Sequence, residues 1–372
     1  MQFTLHFPSN IIFEEDGIKK LGEKAIEYGN KCLIVTGKKS AQKSGALDKV
    51  TESLKKANIQ FVVFDKASGE PDCEIVDEVR ELADKEEVKF IIGLGGGSPM
   101  DVAKAAAGLW GQNLKTVKYV NKEPFQYRGI PFVAVPTTSG TGSEVTLNSV
   151  LYNPQTGNKK SLANPKFQAS LSIIDPSLTY TMSSKLTAAV GMDALTHAVE
   201  SYTSLTANEV TRALAIKAID LIIGNLMNAV KDGSSKEARK NMALGSMIAG
   251  MAFAQTGVGG AHAISHPLGA IFNIPHGVAC ALLLPEIINF NSKNCKDKYD
   301  EIRMAVGIKG EFSTFIREMI KEMPLPKTLL EVGYKKGSEE RIVASTFDSR
   351  SIKNNPRKVE EKDVIKILES CL

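Results

Sequence analysis

The 372 residues, 43% hydrophobic and 24% charged, bound the chain to a soluble globular protein with enough apolar material for two domains. Lysine and arginine total 46 against 42 aspartate and glutamate, a formal charge of +4, and the charges are interspersed, so nothing demands nucleic acid or an anionic membrane as partner. Five cysteines, Cys32, Cys73, Cys280, Cys295 and Cys371, are odd in number and lack C-x-x-C spacing, which sets a reduced, cytoplasmic setting as the expectation.

In chain order, residues 1–8 alternate apolar and polar side chains and are read as a strand, without the basic-then-apolar layout of a signal peptide. The stretch from Phe3 to Ile12 offers an edge for pairing across a two-fold axis, from which a homodimer is expected. Short β-branched runs then alternate with amphipathic stretches: strands at Lys31–Thr36, 61–64, 90–93 and 132–135, helices at 47–57, 74–84 and 100–108. This alternation argues for an α/β fold with a parallel sheet covered by helices on both faces. After Asp175-Pro176 the strand signal stops, and Ala215, Ile219, Ile222, Leu226 and Val230 recur at helical intervals. The chain is therefore divided into an α/β, Rossmann-like dinucleotide-binding domain over 1–178 and an all-helical metal-binding and catalytic domain over 179–372, with a ligand site expected between them.

Two loops of the first half follow strands. Gly93-Leu94-Gly95-Gly96-Gly97-Ser98-Pro99-Met100-Asp101 opens a helix, where glycines admit a close ligand and backbone N–H groups favour a phosphate. It is not the common dinucleotide fingerprint, since Ser98 stands at the last glycine position, and it is not a P-loop. A tight βα turn is its other reading. The second loop, from Val135 to Thr146, contains Thr137 and Thr138 and is read as a further phosphate-friendly loop or as hydroxyls capping local N–H groups.

Four of the five histidines fall in two segments of the second half. Asp193 and His197 stand at helical i, i+4 spacing, which puts a carboxylate and an imidazole on one face. Alone, the pair also fits a helix-start carboxylate and a packed histidine. His262, His266 and His276 sit between Met242 and Pro285, a stretch without Lys, Arg, Asp or Glu. Imidazoles are costly to bury there unless hydrogen bonded or ligated, so together these residues are read as a metal site. The apolar stretch is long enough to raise a membrane question, but Gly257, Gly259, Gly260, Pro267 and Pro275 interrupt it, and it is read as packed interior helices.

Taken in order, the glycine loop, the Pro136–Glu144 loop, Asp193-x3-His197, the histidine segment and Asn355-Pro356-Arg357 resemble the iron-containing (group III) alcohol dehydrogenases over nearly the whole chain. The resemblance implies an α/β nucleotide domain followed by a helical one, with Asp193, His197, His262 and His276 as metal ligands and His266 beside the metal and nicotinamide. It further implies cofactor contacts at Gly97, Ser98, Thr137, Thr138 and Lys159, and Gly95, Gly96, Asp101 and Leu178 are expected to join them.

Imidazole and carboxylate donors suit Fe(II), Zn or Co alike, and the resemblance points to iron. Such a metal activates an alcohol or aldehyde oxygen for hydride exchange with a nicotinamide, with His266 as candidate proton relay or, before Pro267, as a brace of the local bend. Phe253, Val258 and Phe272, from the uncharged segments, favour small, largely apolar alcohols or aldehydes. A non-redox lyase or hydrolase like dehydroquinate synthase, a glycerol or diol dehydrogenase, and a metal-storage protein are the alternatives. Strand 31–36 runs into Gly37-Lys38-Lys39-Ser40, with glycine where NAD-preferring relatives commonly place aspartate, so NADP(H) is expected to be preferred over NAD(H). The two lysines also fit solvated loop charges.

Overall fold

The structure, a computed structural model, describes residues 3–8, 10–67 and 69–372. Two compact units divide the chain: His6–Thr138 with Gly142–Thr181 form one, and Met182–Leu372 form the other together with Ser139–Thr141 and the N-terminal residues up to Leu5. Beside the expected division after Leu178, the first unit runs to Thr181, and the short turn Pro176–Thr179 packs Leu178 into its core.

The first unit carries β1 (Ile11–Phe13), β2 (Lys31–Thr36), β3 (Gln60–Phe64), β4 (Phe90–Gly95), β5 (Phe132–Pro136), β6 (Asn148–Asn153), β7 (Asn158–Ala163) and β8 (Leu171–Ile174). Its helices are α1 (Leu21–Ala25), α2 (Ser40–Lys43), α3 (Ala46–Lys56), α4 (Cys73–Lys85), α5 (Gly97–Gly108) and α6 (Thr116–Val120). Six strands form one sheet in the order β1-β8-β5-β4-β2-β3, every neighbouring pair parallel. Such a sheet buries both faces of its inner strands, which is why β2, β4 and β5 are nearly continuous apolar runs, while β3 at one end keeps Gln60 and Val63 exposed. Leu33, Val35, Ile91 and Ala134 join one apolar cluster, and Cys32, Ile34, Ile92, Val133 and Val135 join the other. Each fully buried Leu, Ile or Val side chain contributes about 1.5–3 kcal/mol. The register pairs Thr36 with Leu94 and Gly95 with Pro136, so the loops after β2, β4 and β5 emerge side by side. In parallel sheets that edge is where ligands bind.

The expected strand over residues 1–8 is not formed: Phe3–Pro8 carry no strand, while Met1, Gln2 and Ser9 lie outside the described residues. Pro8 has no N–H to give a ladder. The first strand is the short β1, placed at the end of the sheet by Ile11–Phe13 pairing with Ser172–Ile174. The antiparallel β6–β7 hairpin was not anticipated either, although Asn153-Pro154-Gln155-Thr156-Gly157 between its strands is turn chemistry.

The second unit is helical: α7 (Ser184–Thr203), α8 (Glu209–Lys231), α9 (Lys236–Thr256), α10 (Gly260–Phe272), α11 (His276–Ala305), α12 (Phe312–Lys321), α13 (Glu339–Asp348) and α14 (Glu361–Ser370). Ser183 caps α7 by accepting from the Leu186 N–H, and nearly every later residue of this helix is buried, as expected of a core helix apolar all round. By length and composition α8 would suffice to cross a membrane, but Ala215, Ile219, Ile222, Leu226 and Val230 turn one face into the core of the unit. The uncharged segment from Met242 to Pro285 spans the end of α9, all of α10 and the start of α11, with a 100° bend between α9 and α10 at the Gly257–Gly259 break.

Candidate metal centre and nucleotide pocket

Helix α7 places Asp193, His197 and Glu200 on one buried face, and α10 and α11 bring His262 and His276 to the same point. From Asp193 Oδ1 the imidazole Nε2 atoms of His276, His262 and His197 lie 3.4, 3.6 and 4.0 Å away. Ligands about 2.1 Å from a tetrahedral ion stand about 3.4 Å from one another, so these separations are of the size a shared cation imposes. Among the described residues, Asp193 Oδ1 and His262 Nε2 are buried without a hydrogen-bond partner. Each orphan of this kind costs about 1–3 kcal/mol unless something fills the gap. A divalent cation would satisfy both at once, and the donor set fits one.

Electrostatics agree. Burial alone would raise the Asp193 carboxyl, but His197, His276 and His262 hold it well below the usual carboxylate range. Burial pulls His197 down to about 4, so this imidazole is neutral near pH 7 and has a lone pair to give. His262 is buried too, yet Cys280, Glu200 and Asp193 around it raise it well above the ordinary imidazole value. A pocket that favours a proton on His262 favours positive charge there, which a metal ion can supply in its place.

Glu200 and Cys280 were not picked out in the sequence. The His262 Nδ1–H donates to Glu200 Oε2 over 2.7 Å, which turns Nε2 toward the metal position. Glu200 also accepts from the Gly259 N–H at 2.8 Å and the Ala261 N–H at 2.6 Å, fixing the start of α10. Its signal was the helical i, i+7 step from Asp193. We expect Glu200→Gln to weaken metal binding about 10–100-fold in a competitive chelator titration, and unchanged affinity would reduce the residue to a helix cap. Asn355, of the Asn-Pro-Arg element, holds the same helix start: its Oδ1 accepts from the Gly260 N–H at 3.2 Å, and its amide pairs reciprocally with Asn291.

Phe253 stacks on His197 with ring centroids 4.2 Å apart, supplying an apolar wall to the centre. Phe272 packs against Tyr334, ring centroids 5.4 Å apart. His266 is partly exposed, with its ring stacked 5.5 Å from that of His276.

In the α/β unit, Gly37, Lys38, Lys39, Ser40, Gly96, Gly97 and Ser98 line one pocket of about 400 Å³. Two segments 60 residues apart in the sequence reading thus meet, because β2 and β4 are neighbours. Gly96 caps α5 without a side chain, leaving the first N–H groups of that helix facing outward for an anion. Gly95 must be glycine: its φ is +146°, and a Cβ there would stand 2.5 Å from Pro99 Cγ. The Thr137 N–H donates to the Gly95 carbonyl at 2.9 Å, and Thr138 lies against Gly96, joining the second loop to the first. That second loop is held by Lys104, fully buried, whose Nζ shares its three N–H groups among Ser143 O, Ser143 Oγ, Thr146 Oγ1 and Asn148 O at 2.7–3.0 Å. Burial lowers this ammonium to about 8.

Three expected cofactor contacts have other partners. Asp101 accepts from Ser143 Oγ at 2.6 Å and from the Val150 N–H at 2.9 Å, so both oxygens brace the loop and hairpin. Leu178 is 3% exposed in the core cluster with Ile18 and Val135, where an apolar side chain beside the sheet is drawn. Lys159 forms an ion pair with Glu70 at 2.7 Å, next to Gly69 of the pocket.

The sequence matches the model of the iron-containing alcohol dehydrogenases over residues 8–176 and that of the C-terminal part of the Fe-containing alcohol dehydrogenase family over 187–372. It is 37% identical to a 1,3-propanediol dehydrogenase of Citrobacter freundii, with 99% of this chain and 98% of the relative aligned. It is 34% identical to an NADPH-dependent butanol dehydrogenase of Clostridium saccharobutylicum over 99% of this chain and 97% of that one. The crystal structure of a 1,3-propanediol oxidoreductase superposes with a TM-score of 0.95 at 34% identity, covering 100% of both chains.

Proposed function

The chain belongs to the iron-containing alcohol dehydrogenase family, and from that premise we propose that it interconverts a small primary alcohol and its aldehyde with NADP(H) and a divalent metal, iron by family and Zn or Co by donor chemistry. The carrying observation is the convergence of Asp193, His197, His262 and His276 around two buried polar atoms that lack any other partner. Asp193, His197, His262 and His276 would hold the cation, which would supply Lewis-acid polarisation of the substrate oxygen, and a bound nicotinamide would supply or accept the hydride. Everything else falls to the chain itself. Glu200 orients His262, and Phe253 shields His197 from water. Backbone N–H groups at the α5 N-terminus, which no side chain caps, would receive the pyrophosphate.

For the proton, His266 is the candidate relay, being partly exposed and stacked on a ligand ring. His266→Ala should keep its metal, lose about 100-fold in kcat, and shift the pH dependence of turnover. Loss of the metal in this variant would make His266 a ligand, and an unmoved pH profile would leave it as a brace before Pro267.

The NADP(H) preference is supported by the absence of an acid at Gly37 and by Lys38, Lys39 and Ser40 lining the same pocket as the glycine loop. A diol substrate is a second reading, favoured by the similarity to a 1,3-propanediol dehydrogenase. The non-redox lyase or hydrolase is not favoured, since the full-length relatives are dehydrogenases. A homodimer and a cytoplasmic location complete the proposal, supported by β1 at the end of the sheet and by five free, buried thiols. Light scattering tests the first. The reaction is tested by following reduced-nicotinamide absorbance while the metal-loaded protein receives NADPH and a panel of short aldehydes; no oxidation with any of them would sink it.

A further inference from the structure

Helix α11 carries a second potential donor one turn after His276. Cys280 is fully buried, and its Sγ lies 3.8 Å from His276 Nε2. The donor atoms of Asp193, His262, His276 and Cys280 all fall within 4.8 Å of one another. Elsewhere the thiols serve structure: Cys295 donates to the Asn291 carbonyl at 3.3 Å, and Cys371 to the Leu282 carbonyl at 3.4 Å. Cys280 faces the metal position instead, where Asp193 Oδ1 and His262 Nε2 stand buried and unpartnered.

We propose that Cys280 is a fifth donor of the metal centre, and that its sulfur biases the site toward thiophilic ions such as Zn(II) and Co(II) over Fe(II). The proposal rests on the metal reading given above and extends it. Thiolate is a softer ligand than imidazole or carboxylate, and it raises the affinity for Zn(II) more than for Fe(II). When it binds, the Sγ–H bond breaks, the proton passes to buffer, and a sulfur–metal bond forms with no change of oxidation state. The sulfur also adds negative charge to the one carboxylate of the set, which moderates how strongly the cation polarises a bound oxygen.

Cobalt(II) titration of the metal-free protein separates the two claims. Visible ligand-field bands report occupation of the Asp193 and histidine set, and a near-ultraviolet sulfur-to-cobalt charge-transfer band reports Cys280. The wild type is expected to show both. Cys280→Ser and Cys280→Ala should keep the visible bands, lose the charge-transfer band, and show a Zn(II)-to-Fe(II) affinity ratio lower by at least about tenfold. Visible bands without charge transfer in the wild type, or a charge-transfer band that survives both substitutions, overturns the sulfur ligand and leaves the metal centre standing. Absence of both bands in the wild type overturns the metal reading and this inference with it. The wild-type spectrum decides even if a variant fails to fold.

Discussion

His262→Ala is expected to purify without stoichiometric metal and to lose at least about 10³-fold in kcat, because it removes the imidazole whose Nε2 has no partner except the metal position. The loss should exceed that of Glu200→Gln, which leaves the imidazole in place and disturbs only its orientation. Asp193→Ala, His197→Ala and His276→Ala should behave alike, since the four act as one set. A folding defect is separable from a metal defect here, because Gly37, Gly96 and Ser98 line a pocket in the α/β unit. NADPH binding, followed by fluorescence, should therefore persist in His262→Ala. Full metal content by elemental analysis together with wild-type turnover would show that the centre has been wrongly drawn.

Gly37→Asp should reverse the cofactor preference, lowering the NADP-to-NAD ratio of kcat/KM by about 100-fold. The new carboxylate would stand in the pocket beside Lys38, Lys39 and Ser40, where the 2′-phosphate is proposed to bind, and would repel it while accepting from the ribose hydroxyls of NAD. Each lysine is exposed, so Lys38→Ala or Lys39→Ala alone should cost only a few-fold. The combination of a large effect at a glycine and small effects at two cations is the signature of exclusion by charge rather than of attraction. A wild-type ratio that favours NAD, or a ratio that Gly37→Asp leaves untouched, defeats the assignment.

What the sequence disclosed was whatever periodicity or local spacing encodes. Of the four apolar runs recognised as β2 to β5, β2, β4 and β5 are central strands, where burial on both faces leaves an unbroken apolar signal, and β3 is the end strand, legible from its Phe-Val-Val-Phe run although Gln60 and Val63 are exposed. Asp193 and His197 show as a pair because one helix carries both. Lys104 was hidden for the opposite reason: a lysine in Asp101-Val102-Ala103-Lys104 reads as a solvent-facing charge, and only the fold wraps it in four oxygen acceptors. The partners of Asp101 and the packing of Leu178 were not legible either, because a position along the chain does not convey where a side chain points. Cys280 had a visible cue, the i, i+4 step from His276, but thiols scattered without pairing carry no metal signal until α10 and α11 are brought together.

Asn355 anchors the N-terminus of α10 from 95 residues further along the chain. Glu200 reaches the same helix start from 59 and 61 residues earlier in the chain, so the turn that carries His262 is held by one side chain before it and one after it. Replacing Asn355 would therefore leave every metal ligand in the chain while removing one of the long-range hydrogen bonds that set the His262 imidazole in place.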